Sequence, residues 1–331
     1  MKRALVVGID SYPSHPLTGC VNDALAMGDL LETLGNGDPN YAVHRLVSQD
    51  FEVTSALLNE AVEQLFEGDA ETVVFYFAGH GIINRETNNG YIVAQNGKKG
   101  GWGMSLSDDI LGLANKAYPR IKSSVIILDS CHSGFAGEVP ALVSKDVSVI
   151  GTGVTILTAS HRDGVAGEGQ KHGLFTDILL AGLKGSASDI LGNVTPAALY
   201  SLVDQTLGPW GGQRPIYKAN VHTFVKLREV APKISKEFLR RLPELFPNDA
   251  AEFPLDPSYE PARDNVPPEI VSLPVDEGHV AIFKGLQACN RNGLVVPVGT
   301  EHMYYAAIES HSCKLTAIGA HYRRLAEQKR F

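Results

Sequence analysis

Two stretches of this chain, Val73–Ala78 (VVFYFA) and Val125–Leu128 (VIIL), are apolar at every position. A strand with one face in water alternates apolar and polar residues. A strand apolar throughout needs cover on both faces, which is the situation inside a parallel sheet sandwiched by helices. Both runs break abruptly. The first ends in AGHG at 78–81 and presents His80; the second ends in DSCHSG at 129–134 and presents Cys131. In an open parallel sheet all strand C-termini share one edge, and that edge is where ligands and chemistry sit.

The pattern elsewhere fits such a sheet. Strands are expected at 2–9, 42–47, 72–77, 124–128 and 154–158, with another near 221–226. Helices are expected at 22–34, 53–67, 108–116, 174–184 and 195–206. This alternation predicts an α/β domain, its mostly parallel sheet flanked by helices on both faces, over residues 1–230. Residues 231–268 hold eight prolines and read as a Pro-rich linker with one helix at 235–246. Residues 269–331 return to apolar patterning as a small C-terminal module, ending in a basic amphipathic helix over 314–330.

The net charge of −8 argues against a nucleic-acid binder. No apolar run reaches membrane-spanning length. The N-terminal MKRALVVGID has too short an apolar stretch for a secretion signal and reads as the first strand. The four cysteines, Cys20, Cys131, Cys289 and Cys313, form no CxxC pair and no zinc spacing. Free thiols and a cytoplasmic location are the expectation.

A thiol attacks a carbonyl as thiolate and needs a base beside it. His80, 51 residues before Cys131, is the candidate. The pair reads as nucleophile and base, with the N–H groups of Gly81 and Cys131 as an oxyanion hole. His132 points away from Cys131 along the backbone and reads as structural or substrate-contacting. A lone cysteine is usually a small core residue and a lone histidine near glycine a loop residue. Both at strand ends, in this order, argue for the functional reading.

FAGHG at 77–81, DSCHSG at 129–134 and LTGCVND at 17–23 together resemble the caspase–metacaspase clan, most of all bacterial metacaspase-type proteases. The segments 159–169 and 172–183 resemble the stretch beyond the nucleophile strand in that clan, so the likeness spans roughly residues 1–227. The QAC(R/Q/G)G signature of caspases proper is absent. The resemblance implies a cysteine endopeptidase that hydrolyses protein substrates after Arg or Lys through a thioester. It implies an acidic specificity pocket built from Cys20, Asp23 and Asp129. Ala78 stands where that family often has Ser. The competing structural roles are a turn cap for Asp129 and a favourable helix N-terminal charge for Asp23. Stress, defence or regulated cell death is implied by the resemblance alone.

Many metacaspases need Ca2+, and Asp108 and Asp109 match an Asp pair used there. The loop around them contains one other carboxylate, Glu86, too few for a hard cation. Helix capping is the expected role, and no metal or cofactor is expected. Lys145, in the Gly-rich stretch 136–153, is a candidate self-cleavage site that would make the chain a zymogen. In the C-terminal module Cys313 is expected to pack in a core rather than join His321 in a second thiol site. The module's expected roles are docking on the protease, gating it or recruiting a regulatory protein. The rival reading is a catalytically silent scaffold on the same fold. A nucleotide-binding enzyme ranks last, because neither GxGxxG after the first strand nor GxxxxGK[ST] occurs.

Overall fold

The computed structural model describes residues 1–84, 89–130, 150–159, 172–209, 215–263 and 266–331. They form two compact units: Met1–Ser188 with Asn193–Val230, and Asp189–Gly192 with Ala231–Phe331.

The first unit runs β1 (Lys2–Gly8), α1 (Cys20–Glu32), β2 (Ala42–Val47), α2 (Ser55–Phe66), β3 (Ala70–Ala78), β4 (Gly81–Asn84), β5 (Asn89–Lys98), β6 (Gly101–Ser105), α3 (Leu111–Ala117), β7 (Ile121–Asp129), β8 (Val154–Thr158), α4 (Leu174–Ala181), β9 (Asn193–Val194), α5 (Pro196–Leu207), β10 (Ile216–Asn220) and β11 (Arg228–Glu229). Its main sheet has the order β10-β8-β7-β3-β1-β2. Neighbours from β8 to β2 are parallel, and β10 runs antiparallel along β8.

The apolar runs are unbroken because each face of the sheet has its own core. On β3, Val73, Phe75 and Phe77 pack with Leu58, Val62 and Leu65 of α2 and Ala114 of α3. Val74, Tyr76 and Ala78 pack on the other side with Met27 and Leu31 of α1, Leu179 of α4 and Leu199 and Val203 of α5. Each such fully buried side chain contributes about 1.5–3 kcal/mol relative to leaving it exposed. β3 and β7, nine residues each, are the two central strands.

Two expectations are corrected in this unit. The last strand is at 216–220 rather than 221–226. This edge strand has no fully buried residue and includes Lys218, whereas the apolar residues further on lie outside any strand: Phe224 is 69% exposed and Val225 is buried in the core on the α1, α4 and α5 side. Residues 81–105, expected as a loop, contain the antiparallel sheet β4-β5-β6. Its Gly and Asn content hides the strands. Gly103 shows why glycine is required: it has φ 156° and a Cβ there would lie 2.3 Å from the Ile92 carbonyl oxygen.

The second unit contains α6 (Lys236–Arg240), α7 (Leu242–Leu245), β12 (Glu252–Pro254), α8 (Pro268–Val271), α9 (Glu277–Arg291), β13 (Val295–Val298), α10 (Met303–Ile308), β14 (Ser312–Leu315) and α11 (Ala317–Glu327). A small antiparallel sheet, β12-β14-β13, anchors it. Residues 231–268 are not a linker here: Leu239, Leu242, Phe246, Leu255 and Tyr259 are buried in the same core as Phe283 and Leu286. Prolines are compatible with this because several stand in a first helical turn, where no N–H is needed, as at α7 and α8. The expected helix 235–246 is accordingly two short helices. The expected helix 314–330 begins as β14, and Thr316 then caps α11 by accepting from the Gly319 N–H at 3.1 Å. Cys289 and Cys313 are fully buried, and burial pushes both thiols up to about 12. His321 is exposed on α11. Among the described residues no helix is long and apolar enough to cross a membrane.

Candidate active site

Strands β3 and β7 leave the sheet in step. Ala78 is in register with Asp129, and the Gly79 N–H donates to the Asp129 carbonyl at 3.3 Å. His80 comes directly after on one strand and Ser130 on the other. Cys131, His132 and Lys145 lie outside the described residues, so the geometry of the site is that of His80 and its surroundings.

The His80 main chain is held on both sides. Its N–H donates to the Tyr12 hydroxyl at 3.0 Å, and its carbonyl accepts from the Val93 N–H at 2.9 Å. The Tyr12 hydroxyl in turn donates to the Val93 carbonyl at 2.9 Å, and the Tyr12 and His80 rings lie 4.5 Å apart between centroids. Gly79 is required by close approach: a Cβ there would meet the Tyr12 hydroxyl at 2.6 Å and the Phe77 ring at 2.9 Å.

Among the described residues, one hydrogen bond orients the His80 side chain. Its Nε2 lies 2.6 Å from the carbonyl oxygen of His15. A carbonyl only accepts, so Nε2 carries the proton, and in the neutral ring Nδ1 keeps its lone pair. The imidazole is therefore a proton acceptor through Nδ1, with its tautomer set by a main-chain group. His15 presents that carbonyl from a left-handed backbone conformation, φ 60°.

A second cluster lies on the same sheet edge. The Asp10 carboxylate accepts from the N–H groups of Cys20 and Val21 at 2.9 and 3.3 Å, capping α1 from the end of β1. Asp23 accepts from Gly173 N–H at 3.2 Å and contacts His172 Nδ1 at 2.7 Å. Asp129 accepts the Thr176 hydroxyl at 2.6 Å, and that hydroxyl contacts Tyr76 Oη at 2.6 Å. Asp23 and Asp129 converge on Gly173: a Cβ there would stand 2.9 Å from Asp129 Oδ2 and 3.3 Å from Asp23 Oδ2.

The electrostatics are set by burial. Asp129 is 9% exposed, and burial pushes its carboxyl up to about 6, with the Thr176 hydrogen bond opposing and the Asp23 charge adding to it. Burial raises Asp23 too, against the hydrogen bond from His172. Burial and the charges of Asp10, Asp129 and Asp23 push the Cys20 thiol far up, so it stays protonated. A buried cluster of carboxylates whose described partners include no Lys or Arg side chain suits a cationic ligand.

Of the residues singled out from the sequence, Cys20, Asp23 and Asp129 come together; His80 and Gly81 stand on the adjoining strand end. The structural roles weighed against them are present as well. Asp23 lies in the first turn of α1, and Asp129 and Asp23 bind the start of α4. Sequence reasoning missed Asp10, Tyr12, His15, His172, Gly173 and Thr176. Asp10 had a signal, since it ends an apolar strand on the same edge. Tyr12 and His15 act through a hydroxyl and a carbonyl in a loop and carry none.

Asp108 and Asp109 serve the helix start. The cap is Ser105. Its hydroxyl accepts from the Asp108 N–H at 3.0 Å, while the Asp109 carboxylate accepts from the Ser105 N–H at 2.7 Å, a variant of the capping box with the carboxylate one residue further on. Asp108 also accepts from Asn89 at 2.8 Å. Among the described residues no three His, Cys, Asp or Glu side chains are placed to hold a metal together.

Several known proteins are similar to this chain. A solved structure from Geobacter sulfurreducens superposes with a TM-score of 0.50 at 16% identity, covering 70% of this chain and 97% of that one. Caspase-1 from Spodoptera frugiperda gives a TM-score of 0.47 at 13% identity, over 69% and 90% of the two chains. Metacaspase-1 of Arabidopsis thaliana is 27% identical over 153 residues, 43% of this chain, and the match spans 41% of that protein's length. The caspase-domain model, Peptidase C14, matches residues 1–222, the whole stretch from β1 through β10 that carries His80 and the carboxylate cluster; the chain belongs to the caspase-domain family.

Proposed function

We propose that the protein is a cysteine endopeptidase that cleaves protein substrates after Arg or Lys. The observation that carries this reading is the His80 imidazole. It is bound through Nε2 to the His15 carbonyl and so has Nδ1 available as a base, at the sheet edge from which the chain passes through Ser130 to Cys131. In the proposed reaction Nδ1 takes the Cys131 proton, and the thiolate attacks the scissile carbonyl. The N–H groups of Gly81 and Cys131 hold the oxyanion. The protonated His80 then gives its proton to the leaving amine, and water, deprotonated by His80, hydrolyses the thioester. Asp129, Asp23 and Asp10 supply the negative pocket for the basic side chain before the scissile bond.

The test is a panel of fluorogenic peptides ending in Arg, Lys or Asp, assayed with wild type and Cys131→Ala, with and without Ca2+. Cleavage after Arg and Lys that disappears in the variant is expected. Cleavage after Asp would defeat the acidic-pocket argument, and no cleavage of any peptide would return the scaffold reading.

A further inference from the structure

A cavity of about 420 Å3 opens beside His80. Its walls are the loop after β1 (Tyr12, Pro13), His80 itself, Ile82 of β4, Val93 of β5 and Trp102 of β6. None of the carboxylate-cluster residues Asp10, Cys20, Asp23 or Asp129 lines it. The cavity therefore touches the base but not the pocket assigned to the basic side chain. A second hollow of about 590 Å3 lies on the β4-β5-β6 sheet and shares Ile82 and Trp102 in its lining.

The reaction gives the two sides of His80 a direction. The residue before the scissile bond must reach the carboxylates. The leaving amine must reach the imidazole that protonates it, so the chain after the scissile bond starts at His80. The space against His80 that the carboxylates do not line is then where that chain begins. Its lining is apolar and aromatic at Tyr12, Pro13, Ile82, Val93 and Trp102, and among the described residues it contains no Asp, Glu, Lys or Arg. Its frame is firm: Gln95 donates to the Ser11 carbonyl at 2.8 Å and accepts from the Val53 N–H at 2.9 Å. Concave, mostly apolar walls on a held frame are what a side-chain subsite requires.

The geometry points to a leaving-side specificity subsite, built by Tyr12, Ile82, Val93 and Trp102, that takes a large apolar or aromatic side chain within the first two residues after the scissile bond. This rests on the endopeptidase reading and adds a second determinant to it. A good substrate carries a basic residue followed closely by Phe, Tyr, Leu or Ile.

The experiment uses the full chain and quenched peptides with Arg fixed before the scissile bond and Gly, Asp, Leu or Phe at each of the next two positions. For wild type, kcat/KM for the Phe and Leu peptides is expected at least about tenfold above that for the Gly peptide, the upper end for burying such a side chain being larger still. Trp102→Ala should bring this ratio close to one and Trp102→Phe should restore most of it. Ile82→Ser, on a different strand, should lower the same ratio and guards against a folding defect in one variant. In parallel, Cys131→Ala should bind the uncleaved Phe peptide more tightly than the Gly peptide, with a change in tryptophan emission that Trp102→Ala abolishes. Cleavage after Arg that is indifferent to the next two residues overturns the subsite and leaves the endopeptidase reading intact. Failure to cleave any Arg peptide overturns both.

Discussion

Asp129 shows most directly how one residue can be costly to the fold and useful to the site. Its carboxyl is pushed up to about 6 from an ordinary 3.8. The folded state thus holds this proton more tightly than the unfolded chain does. The favourable contribution is complete below the unfolded value and is lost as pH rises toward 6. At about 1.36 kcal/mol per pH unit, ionising Asp129 in place costs about 3 kcal/mol by neutral pH. Asp129→Asn keeps an oxygen to accept from Thr176 and has nothing to ionise. Urea unfolding of both proteins at pH 4 and pH 7 is therefore expected to show wild type losing about 2 kcal/mol more than the variant between the two, the rest of the loss lying below pH 4. A guanidinium or ammonium brought into the cluster favours the ionised form, so a basic substrate should bind less well as pH falls through 6. Equal pH dependence of wild type and variant would mean that Asp129 is not a charged, buried member of the site. Asp23 and Asp129 were legible in the sequence through the motifs around them. Gly173 and Thr176, which set how close the carboxylates come, were not: a glycine selected for the absence of a Cβ looks like any other turn glycine.

At the scale of elements, the site is made by two parallel strands that end together and by the pieces that hold His80 where β3 stops. The strands were readable because both faces of each are buried, which leaves a continuous apolar word in the sequence. The β4-β5-β6 sheet was not, because its strands are interrupted by Gly and Asn and their polar residues pair with distant ones, as Asn96 does with the Ser55 N–H at 2.9 Å. Yet this sheet supplies Val93, which closes the Tyr12–His80 bridge. Gly79→Ala tests how much depends on that bridge. The new Cβ would lie within 3 Å of the Tyr12 hydroxyl and the Phe77 ring, and Phe77 is fully buried, so the displacement falls on the loop of Tyr12 and on His80. A shift of about 1 Å in a catalytic group costs on the order of a hundredfold in rate. Steady-state kinetics on an Arg peptide should show that loss mainly in kcat, with KM moved less, since the carboxylate cluster is untouched. An unchanged kcat would separate His80 from the chemistry.

For the whole molecule, the prolines of 231–268 misled because composition counts them without regard to position. At the start of a helix a proline costs nothing, and here the apolar residues between them, Leu239, Leu242, Phe246 and Leu255, fill one core with Phe283, Leu286 and Cys313. The chain visits this unit first at Asp189–Gly192 and returns at Ala231. The early visit adds only the partly buried Ile190 and Leu191 to the core, so nearly all of that core comes from residues beyond 230. Two units, each with its core filled by its own stretch of chain, should unfold as two cooperative blocks. Phe246→Ala probes this. Phe246 is fully buried, its ring centroid lies 6.1 Å from that of Phe253, and its carbonyl accepts from the buried Arg323 at 2.5 Å. Deleting such a ring costs about 3–5 kcal/mol. Calorimetry should resolve two transitions in wild type, and the substitution should lower one by more than about ten degrees while the other moves by no more than about a degree. A single transition that shifts as a whole would make the protein one cooperative block, and the residues beyond 230 would then contribute to the stability of the caspase-type domain itself.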